Sequence, residues 1–227
     1  RGGEVRGSWD DPSDHALGDE GALLAAAGFV VASAPDRVAA ARALVERGVT
    51  AIVLDDGLQH RRLHRDLDLA VVDARFPGAR GLLPAGERRE PEVIPRRAHA
   101  AVVHHAGQGW SSPGYPVTRR AGPWVRGDGR TDPLVGPVAA FAGIGRPADF
   151  LASLDLPVAR FLALPDHQPF DEATVDRVSR WSEGLPLVCT AKDAVRLPDP
   201  LRRRAAWRDV VLVLPDEILA HLKRFDR

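Results

Sequence analysis

The stretch AIVLDDGLQH, residues 51–60, decides the fold class of this chain. Its apolar first half predicts a buried strand over residues 50–54, which delivers two carboxylates, Asp55 and Asp56, to the C-terminal end of that strand. Ligands of open α/β sheets bind at this edge. Because consecutive strand residues point to opposite faces, we expect the two carboxylates to have different partners.

Two interpretations of this carboxylate pair stay open. Two like charges about 4 Å apart repel by about 1 kcal/mol in water, and by about 4 kcal/mol at an effective dielectric constant of about 20. A cation would relieve that repulsion at a partly buried strand end, so the pattern fits a Walker B carboxylate that holds Mg²⁺. The alternative is a solvent-exposed Asp-Asp-Gly turn.

Apolar runs and helical patterns alternate along the rest of the chain. Further strands are predicted over residues 29–33, 69–73, 100–104, 138–142, 158–164, 185–190 and 210–214. Helices are predicted over residues 20–28, from Asp36 to Gly48, from Pro147, over 172–183 and from near Asp216. Strands that are apolar on both faces and interleaved with helices predict an α/β fold with a mostly parallel sheet.

Residues 106–136 differ from the flanking segments because they are rich in Gly, Pro, Trp and Arg. They contain short alternating pieces at 115–118 and 124–126, which favour a linker or a small antiparallel ribbon. We therefore predict two α/β domains, residues 1–105 and residues 106–227, joined by this segment. The first is expected to be an incomplete nucleotide-binding core and the second a smaller α/β domain.

The composition excludes several classes of protein. The single Cys189 rules out an intramolecular disulfide, and no apolar run approaches the roughly 20 residues that span a bilayer. The 31 basic and 31 acidic residues balance, and no basic stretch is interleaved with aromatic residues as in single-strand nucleic-acid binders. The chain opens on Arg1 and contains no Met, so we expect a fragment or a processed product.

A Walker B strand requires a phosphate loop, G-x-x-x-x-G-K-[ST], and this sequence contains none. Its two lysines, Lys192 and Lys223, lie outside Gly-rich loops. The strand–loop–helix unit that carries such a loop would need roughly 30 residues before Arg1. The nucleotide-binding residues are therefore unknown, and the fragment by itself is expected to be inactive.

Two further segments carry candidate proton-transfer groups. Asp19 and Glu20 open a predicted helix, where an acid either caps the helix and complements its dipole or serves as a general base. Asp166 and His167 follow a predicted strand. Histidine titrates near neutrality and can relay a proton, although a loop histidine can equally be plain surface.

Three loops carry weaker signals. LPAGERREP, residues 83–91, could present Arg89 and Glu90 to an anionic ligand and a cation, or be an ordinary charged loop. The Gly turn at 143–145 could approach a phosphate or serve only as a turn. In TAKD, residues 190–193, Lys192 could pair with an acid.

Together these segments resemble the tetraacyldisaccharide 4'-kinase family, the lipid A kinases. The matching segments, in the family's order, are GDE at 18–20, DRVAAARAL at 36–44, DDGLQHRRLHRDLDLAVVDA at 55–74, LLPAG and REP within 82–91, FAGIGRPADFLASL at 141–154, LPDHQPF at 164–170 and TAKDAVRL at 190–197. The block at 55–74 is the most specific, and the shared order of seven segments argues against coincidence.

The resemblance implies a P-loop-type kinase of two α/β domains that uses ATP and Mg²⁺. Its substrate would be a tetraacylated glucosamine disaccharide 1-phosphate, phosphorylated on the 4'-hydroxyl during lipid A biosynthesis in Gram-negative bacteria. The protein would lie peripherally at the cytoplasmic face of the inner membrane. Neither a nucleic acid nor an obligate protein partner is expected.

Roles for site residues follow from the resemblance by matched position. The catalytic carboxylate is implied at Asp19, with His167 as its tuning partner. The Mg²⁺ environment is implied at Glu20, Asp55 and Glu90. Contacts to substrate or phosphate are implied at Asp56, Gln59, His60 and Arg89.

The sequence departs from the family pattern beyond the absent phosphate loop. The usual LPAGPLREP reads LPAGERREP, with Glu87 and Arg88 in place of Pro and Leu. The commoner DHHPF-like motif keeps only its first histidine, His167. Two other classes stay open: another P-loop nucleotide-dependent transferase, and a non-catalytic remnant.

Overall fold

The structure is a computed structural model that describes residues 4–10, 17–75, 81–86, 88–107, 110–130 and 133–225. The strands in these ranges are β1 (Arg6–Gly7), β2 (Ala32–Ser33), β3 (Leu69–Asp73), β4 (Ala100–His104), β5 (Tyr115–Arg126), β6 (Val138–Ala142), β7 (Val158–Ala163), β8 (Leu187–Val188) and β9 (Ala205–Val213). The helices are α1 (Gly18–Ala26), α2 (Arg37–Val45), α3 (Pro147–Ala152), α4 (Glu172–Trp181), α5 (Ala191–Ala194), α6 (Asp199–Arg202) and α7 (Asp216–Leu222). The mostly parallel α/β fold that the sequence predicts is confirmed.

The chain divides into two compact units. Unit 1 combines Arg1–Gly48 with Ala121–Asp209, and unit 2 combines Val49–Arg120 with Val210–Arg227. The long strands β5 and β9 run from one unit into the other, so each unit joins segments that are distant in sequence. The boundary after residue 105 concerns folding domains and stays a prediction.

In unit 1, β6 is the central strand of a parallel set, with β7 on one side and β8 on the other. β8 in turn pairs in parallel with the start of β9. All five side chains of β6 are buried. They alternate between two cores: Ala139 and Phe141 contribute to one, and Val138 and Ala140 to the other. This period of two explains why the strand is apolar throughout.

In unit 2, β3 and β4 pair in parallel, from Leu69 beside Ala100 to Asp73 beside His104. β4 also pairs in parallel with the start of β5. A small core forms where these strands meet Ile218 of α7. The parallel register brings the C-terminal ends of β3 and β4 together, at the edge where α/β sheets bind ligands.

Several predicted helix starts are confirmed. Asp36 caps α2 by accepting a hydrogen bond from the Val38 amide at 2.9 Å. Pro147 occupies the first turn of α3, where its missing N–H costs nothing. α7 begins at Asp216. In the part of the chain that the structure describes, no helix is long and apolar enough to cross a membrane.

The predicted strand over residues 50–54 is wrong. These residues have no regular structure, and the side chain of Val53 is 96% exposed. No described segment pairs with them in a ladder, and an apolar run becomes a strand only when a neighbour supplies hydrogen bonds. The predicted strand over 29–33 is likewise reduced to β2, which pairs with β1.

The predicted linker or ribbon within residues 106–136 is instead dominated by one 12-residue strand, β5. Its end lies beside the start of β9, since the Gly127 amide donates to the Ala205 carbonyl at 3.0 Å. A Cβ at Gly122 would lie only 3.1 Å from the Asp209 carbonyl oxygen. Gly122 therefore allows β5 to approach β9 closely and does not mark a turn.

Candidate active site

A carboxylate–histidine pair lies in unit 1. Asp19, in the first turn of α1, accepts a 2.8 Å hydrogen bond on Oδ2 from Nδ1 of His167. The Asp19 side chain is 16% exposed. Leu17 occupies the cap position of α1 and no side chain there caps the helix, so capping does not account for Asp19. The two residues that the resemblance assigns to catalysis are therefore in direct contact.

The loop after β7 holds His167 in an uncommon backbone conformation. Its φ is 56°, in the left-handed region that few residues with a Cβ adopt. The Gln168 amide donates to the Pro165 carbonyl at 3.1 Å, and Arg196 donates to the Gln168 carbonyl at 3.2 Å. These contacts fix the turn that directs the imidazole toward Asp19.

Arg196 also reaches the carboxylate itself. Its Nε lies 3.4 Å from Oδ2 of Asp19, the oxygen that His167 contacts, and its side chain is 9% exposed. Among the described residues, the other oxygen of Asp19, Oδ1, has no hydrogen-bond donor. Within the described ranges, one oxygen of Asp19 is thus held by two partners and the other by none.

A fully buried carboxylate, Asp193, anchors this arginine. Asp193 accepts hydrogen bonds from Arg196 at 2.5 Å, from the Thr190 hydroxyl at 2.7 Å and from the Gly143 amide at 3.2 Å. A buried charge is tolerated when it is paired and hydrogen-bonded, as it is here. Because the Gly143 amide serves Asp193, the turn at 143–145 has a structural role.

Glu20 lies beside Asp19 in the sequence and pairs with Lys192 of α5. The Lys192 Nζ donates to Oε1 of Glu20 at 2.6 Å. This hydrogen bond holds the pKa of Glu20 below its ordinary value, against a smaller opposing effect of burial. The interpretation of Lys192 as the partner of an acid is confirmed.

In unit 2, the ion pair between Asp56 and Arg89 joins two loops. Arg89 donates to Asp56 Oδ2 at 2.8 Å, and this bond raises the pKa of the guanidinium. Asp56 adopts a φ of 51° and precedes a 3₁₀ turn at Gly57–Gln59. Because Asp56 has a left-handed backbone conformation, the chain turns immediately after Asp55. The two carboxylates are therefore not carried by one extended strand. Asp55 itself is exposed.

Glu90 belongs to the same pair of loops. Arg97 binds both oxygens of Glu90 and holds the pKa of this carboxyl below its ordinary value. Gln59 also donates to Glu90 at 3.4 Å, and Arg97 donates to the Leu58 carbonyl at 3.0 Å. Glu90 therefore has Arg97 as a cationic partner. The role of Glu90 in binding Mg²⁺ stays a prediction.

A cavity of about 230 Å³ opens beside these loops. Gln59, Arg89 and Glu90 line it together with β3, including Asp73. Arg75 hydrogen-bonds Asp73 and lowers its pKa to about 2. The cavity combines apolar strand surface with charged groups, the usual lining of a small-molecule site. Two residues predicted to contact substrate, Gln59 and Arg89, thus line one cavity with Glu90, which is predicted to lie in the Mg²⁺ environment.

The remaining predicted residue of this segment, His60, is partly buried. Its Nε2 has no hydrogen-bond partner in the described part of the chain. Its carbonyl accepts from Arg65, which also pairs with Asp68 at 2.5 Å. Arg65 therefore links the backbone at His60 to Asp68.

The loop that departs from the family pattern is ordered at Arg88. The Arg88 guanidinium donates to the Pro91 carbonyl at 2.9 Å, and its backbone carbonyl accepts from the Leu83 amide at 2.9 Å. Glu87 lies outside the described residues. The substitution at Arg88 is thus accommodated by contacts within its own loop.

The predicted Mg²⁺ ligands do not form a metal-binding cluster among the described residues. No group of three or more His, Cys, Asp or Glu side chains in the described ranges is arranged to hold a metal ion. Glu20 belongs to unit 1, whereas Asp55 and Glu90 belong to unit 2. Carboxylate oxygens suit Mg²⁺ chemically, and Glu20 already accommodates a cationic group.

The sequence patterns predict none of the ion pairs that Arg196, Asp193 and Arg97 form. The first two lie three residues apart in TAKDAVRL, a spacing that brings side chains together on a helical turn. That spacing was a usable signal. Nothing in the sequence pairs Arg97 with Glu90, because the intervening loop sets their distance.

The fold and these sites define an α/β protein with a histidine-bound carboxylate and a second carboxylate site rich in arginine, and a positioned carboxylate is one of the parts that phosphoryl-transfer enzymes use. Residues 3–225 match the family model described as tetraacyldisaccharide-1-P 4'-kinase. The chain belongs to this kinase family.

Relatives named tetraacyldisaccharide 4'-kinase agree with this assignment. The chain is 37% identical to that of Gluconacetobacter diazotrophicus, over 95% of this chain and 69% of the relative. It is 38% identical to that of Anaeromyxobacter sp., over 89% of this chain and 61% of the relative. It therefore spans about three fifths to two thirds of these relatives.

A solved structure supports the same fold. The crystal structure of LpxK from Aquifex aeolicus in complex with ATP superposes with a TM-score of 0.74 at 27% identity. The match covers 92% of this chain and 69% of the other. The P-loop-kinase-like fold class that the sequence predicts is confirmed.

Proposed function

We propose that this protein is an ATP-dependent kinase that phosphorylates the 4'-hydroxyl of a tetraacylated glucosamine disaccharide 1-phosphate in lipid A biosynthesis. The observation that carries the proposal is the 2.8 Å hydrogen bond between Asp19 and His167, in a chain of this kinase family. It supplies an oriented carboxylate, and phosphoryl transfer depends on positioning and charge neutralisation more than on covalent catalysis.

In the proposed reaction, Asp19 accepts the proton of the 4'-hydroxyl as the hydroxyl oxygen forms its bond to the γ-phosphorus. The bond between that phosphorus and the β–γ bridging oxygen breaks, and ADP leaves. His167, donating from Nδ1, holds Oδ2 of Asp19, so Oδ1 can face the hydroxyl. A general base placed within hydrogen-bond reach contributes about 10² to 10⁴ in rate.

ATP and Mg²⁺ are the proposed donor and metal. The Aquifex aeolicus LpxK structure is of a complex with ATP, which supports the donor. Glu20 is the residue proposed to hold the metal in unit 1, because its carboxylate is exposed, and Mg²⁺ would have to replace the Lys192 ammonium group there. When bound, Mg²⁺ would neutralise the charge that develops on the phosphate oxygens.

The acceptor sets the place of action. Four acyl chains hold such a disaccharide in a bilayer, since each buried methylene contributes about 0.8 kcal/mol. We therefore propose that the protein works peripherally at the cytoplasmic face of the inner membrane. Asp56, Gln59, His60 and Arg89 are proposed to contact the substrate, with the cavity beside β3 as part of that surface.

Acceptor profiling tests the proposed function. A form of the protein that includes a phosphate loop is incubated with ATP and tetraacylated disaccharide 1-phosphate, and 4'-phosphorylated product is measured. The matched control is the same lipid already phosphorylated at the 4' position, which should yield no product. Turnover of unrelated hydroxyl acceptors without turnover of the disaccharide would instead assign the chain to another transferase class.

A further inference from the structure

The segment TAKDAVRL, residues 190–197, contacts both acids at the start of α1. Arg196 lies 3.4 Å from Oδ2 of Asp19, and Lys192 donates to Glu20 at 2.6 Å. All four residues belong to unit 1. One short segment around α5 therefore holds the proposed base and the acid beside it.

Arg196 donates hydrogen bonds to several groups around Asp19, the proposed base. It donates to the Gly143 carbonyl at 3.1 Å and to the Gln168 carbonyl at 3.2 Å, and it pairs with Asp193. Its guanidinium lies 5.6 Å from the ring centroid of Phe170. Arginine can serve several acceptors in fixed directions because its donors form a rigid planar fork, which lysine does not offer.

These contacts bear directly on the geometry of Asp19. The Gln168 carbonyl follows His167, so Arg196 fixes both the loop that carries the imidazole and the oxygen that the imidazole contacts. Among the described residues Oδ1 has no donor, and in the proposed reaction this oxygen accepts the proton of the acceptor hydroxyl.

We propose that Arg196 is a positioning residue that acts on phosphoryl transfer through Asp19. It holds the Asp19 carboxylate and the His167 loop in fixed positions, and it touches neither substrate nor nucleotide in this role. The inference rests on the proposed function, in which Asp19 accepts the hydroxyl proton. Misplacement of a reacting group by about 1 Å can cost about 10²-fold in rate.

A double-mutant cycle tests this role in an active form of the protein that includes a phosphate loop. Because Arg196→Gln alone leaves the buried Asp193 unpaired, the reference background is Asp193→Asn, in which that charge is removed. In this background, Arg196→Gln should lower kcat about 10- to 100-fold with little change in KM. After Asp19→Asn is added, Arg196→Gln should cause no further loss, since coupled residues are not additive.

Other outcomes distinguish a failure of the positioning role of Arg196 from a failure of the proposed function. An equal loss with and without Asp19→Asn would overturn the positioning role, because Arg196 would then act independently of Asp19. Retained kcat in Asp19→Asn would overturn the role of Asp19 as the base, whereas no phosphorylation of the disaccharide by the unmutated protein would overturn the proposed function itself. Arg202→Gln, which removes a contact to the Ala194 carbonyl without touching Asp19, is the matched control and should keep kcat. Melting temperatures establish that each variant is folded.

Discussion

Asp19 presents two carboxylate oxygens with different surroundings. Oδ2 is contacted by His167 and Arg196, and in the described residues Oδ1 has no donor. This asymmetry distinguishes a base from a structural acid such as Asp193, whose oxygens are all engaged. The sequence indicates an acid at a helix start, but either capping or catalysis fits that pattern.

At the residue scale, Lys192→Gln should raise the pKa of Glu20 toward its ordinary value of 4.5, because the lysine hydrogen bond is the main cause of the lowered pKa. With Lys192 present, the ion pair stabilises the folded state at pH values above 4.5, the ordinary pKa of Glu20. This contribution to the free energy of unfolding is lost as the pH falls through the lowered pKa of Glu20. Carboxyl NMR titration measures the change.

The other lysine provides the control for this titration. Lys223→Gln alters the same charge count at the 3₁₀ turn Lys223–Phe225 and should leave Glu20 unchanged. An identical titration of Glu20 in the wild type and in Lys192→Gln would contradict the ion pair.

At the scale of elements, α5 is short but tightly held at its start. Thr190 caps it by accepting from the Asp193 amide at 3.0 Å, and its hydroxyl donates to the Asp193 carboxylate at 2.7 Å. The sequence indicates a strand end at this position, and it does not reveal that the following acid is buried. That fact depends on Gly143, which is 50 residues away.

Thr190→Val should destabilise unit 1 because it keeps the side-chain shape and removes the hydroxyl. The buried Asp193 then loses a donor, and such a loss costs about 1–3 kcal/mol. Urea denaturation measures the free energy of unfolding. Thr190→Ser keeps the hydroxyl and should retain most of the stability, so equal losses in both variants would argue against the cap.

Strand β4 carries a buried histidine, His104, at its C-terminal end. Burial lowers its pKa from the ordinary value of 6.5, the nearby Arg119 acts in the same direction, and Asp73 opposes both. The unfolded chain therefore binds more protons than the folded chain below about pH 6.5. Stability should fall as pH decreases through that value.

His104→Gln should weaken this pH dependence. Denaturation of both proteins at pH 7.5 and pH 5.5 measures the difference, and the remaining histidines are common to the two. An unchanged loss of stability on acidification would show that His104 does not control it.

The sequence predicts most of the helices and strands, but it predicts fewer of the strand pairings and side-chain contacts between them. β3, β4, β6 and β7 follow from their mostly apolar runs, and of these four strands β4 and β6 are buried throughout. The run at 50–54 has the same composition yet forms no strand, because composition does not reveal whether a neighbour pairs with it. The site was predicted as separate motifs, and long-range contacts such as that between Asp19 and His167 came only from the resemblance.

At the scale of the whole molecule, the chain is organised by strands that serve both units. A composition shift at 106–136 suggests a boundary, but β5 continues through it and enters unit 1 at Ala121. β9 crosses in the opposite direction at Asp209. Local sequence cannot show which distant strands pair, so segments 1–48 and 121–209 could not be grouped in advance.

We expect the polypeptide of residues 1–227 to lack kinase activity by itself. Its sequence contains no G-x-x-x-x-G-K-[ST] loop to cradle the β- and γ-phosphates, and that cradle supplies much of the positioning in phosphoryl transfer. The measurement is ATP-dependent phosphorylation of the tetraacylated disaccharide 1-phosphate. Detectable product above a no-protein control would contradict this expectation.

The central claim is that Asp19 is the base of a lipid A kinase. The most direct test compares Asp19→Asn with the wild type in an active form that includes a phosphate loop, measuring both kcat and the Kd for ATP. Asp176→Asn, an exposed acid on α4, is the control. We predict that kcat falls about 10²- to 10⁴-fold while the Kd for ATP stays nearly unchanged. A kcat near that of the wild type, or equal losses in turnover and ATP binding, would contradict the claim.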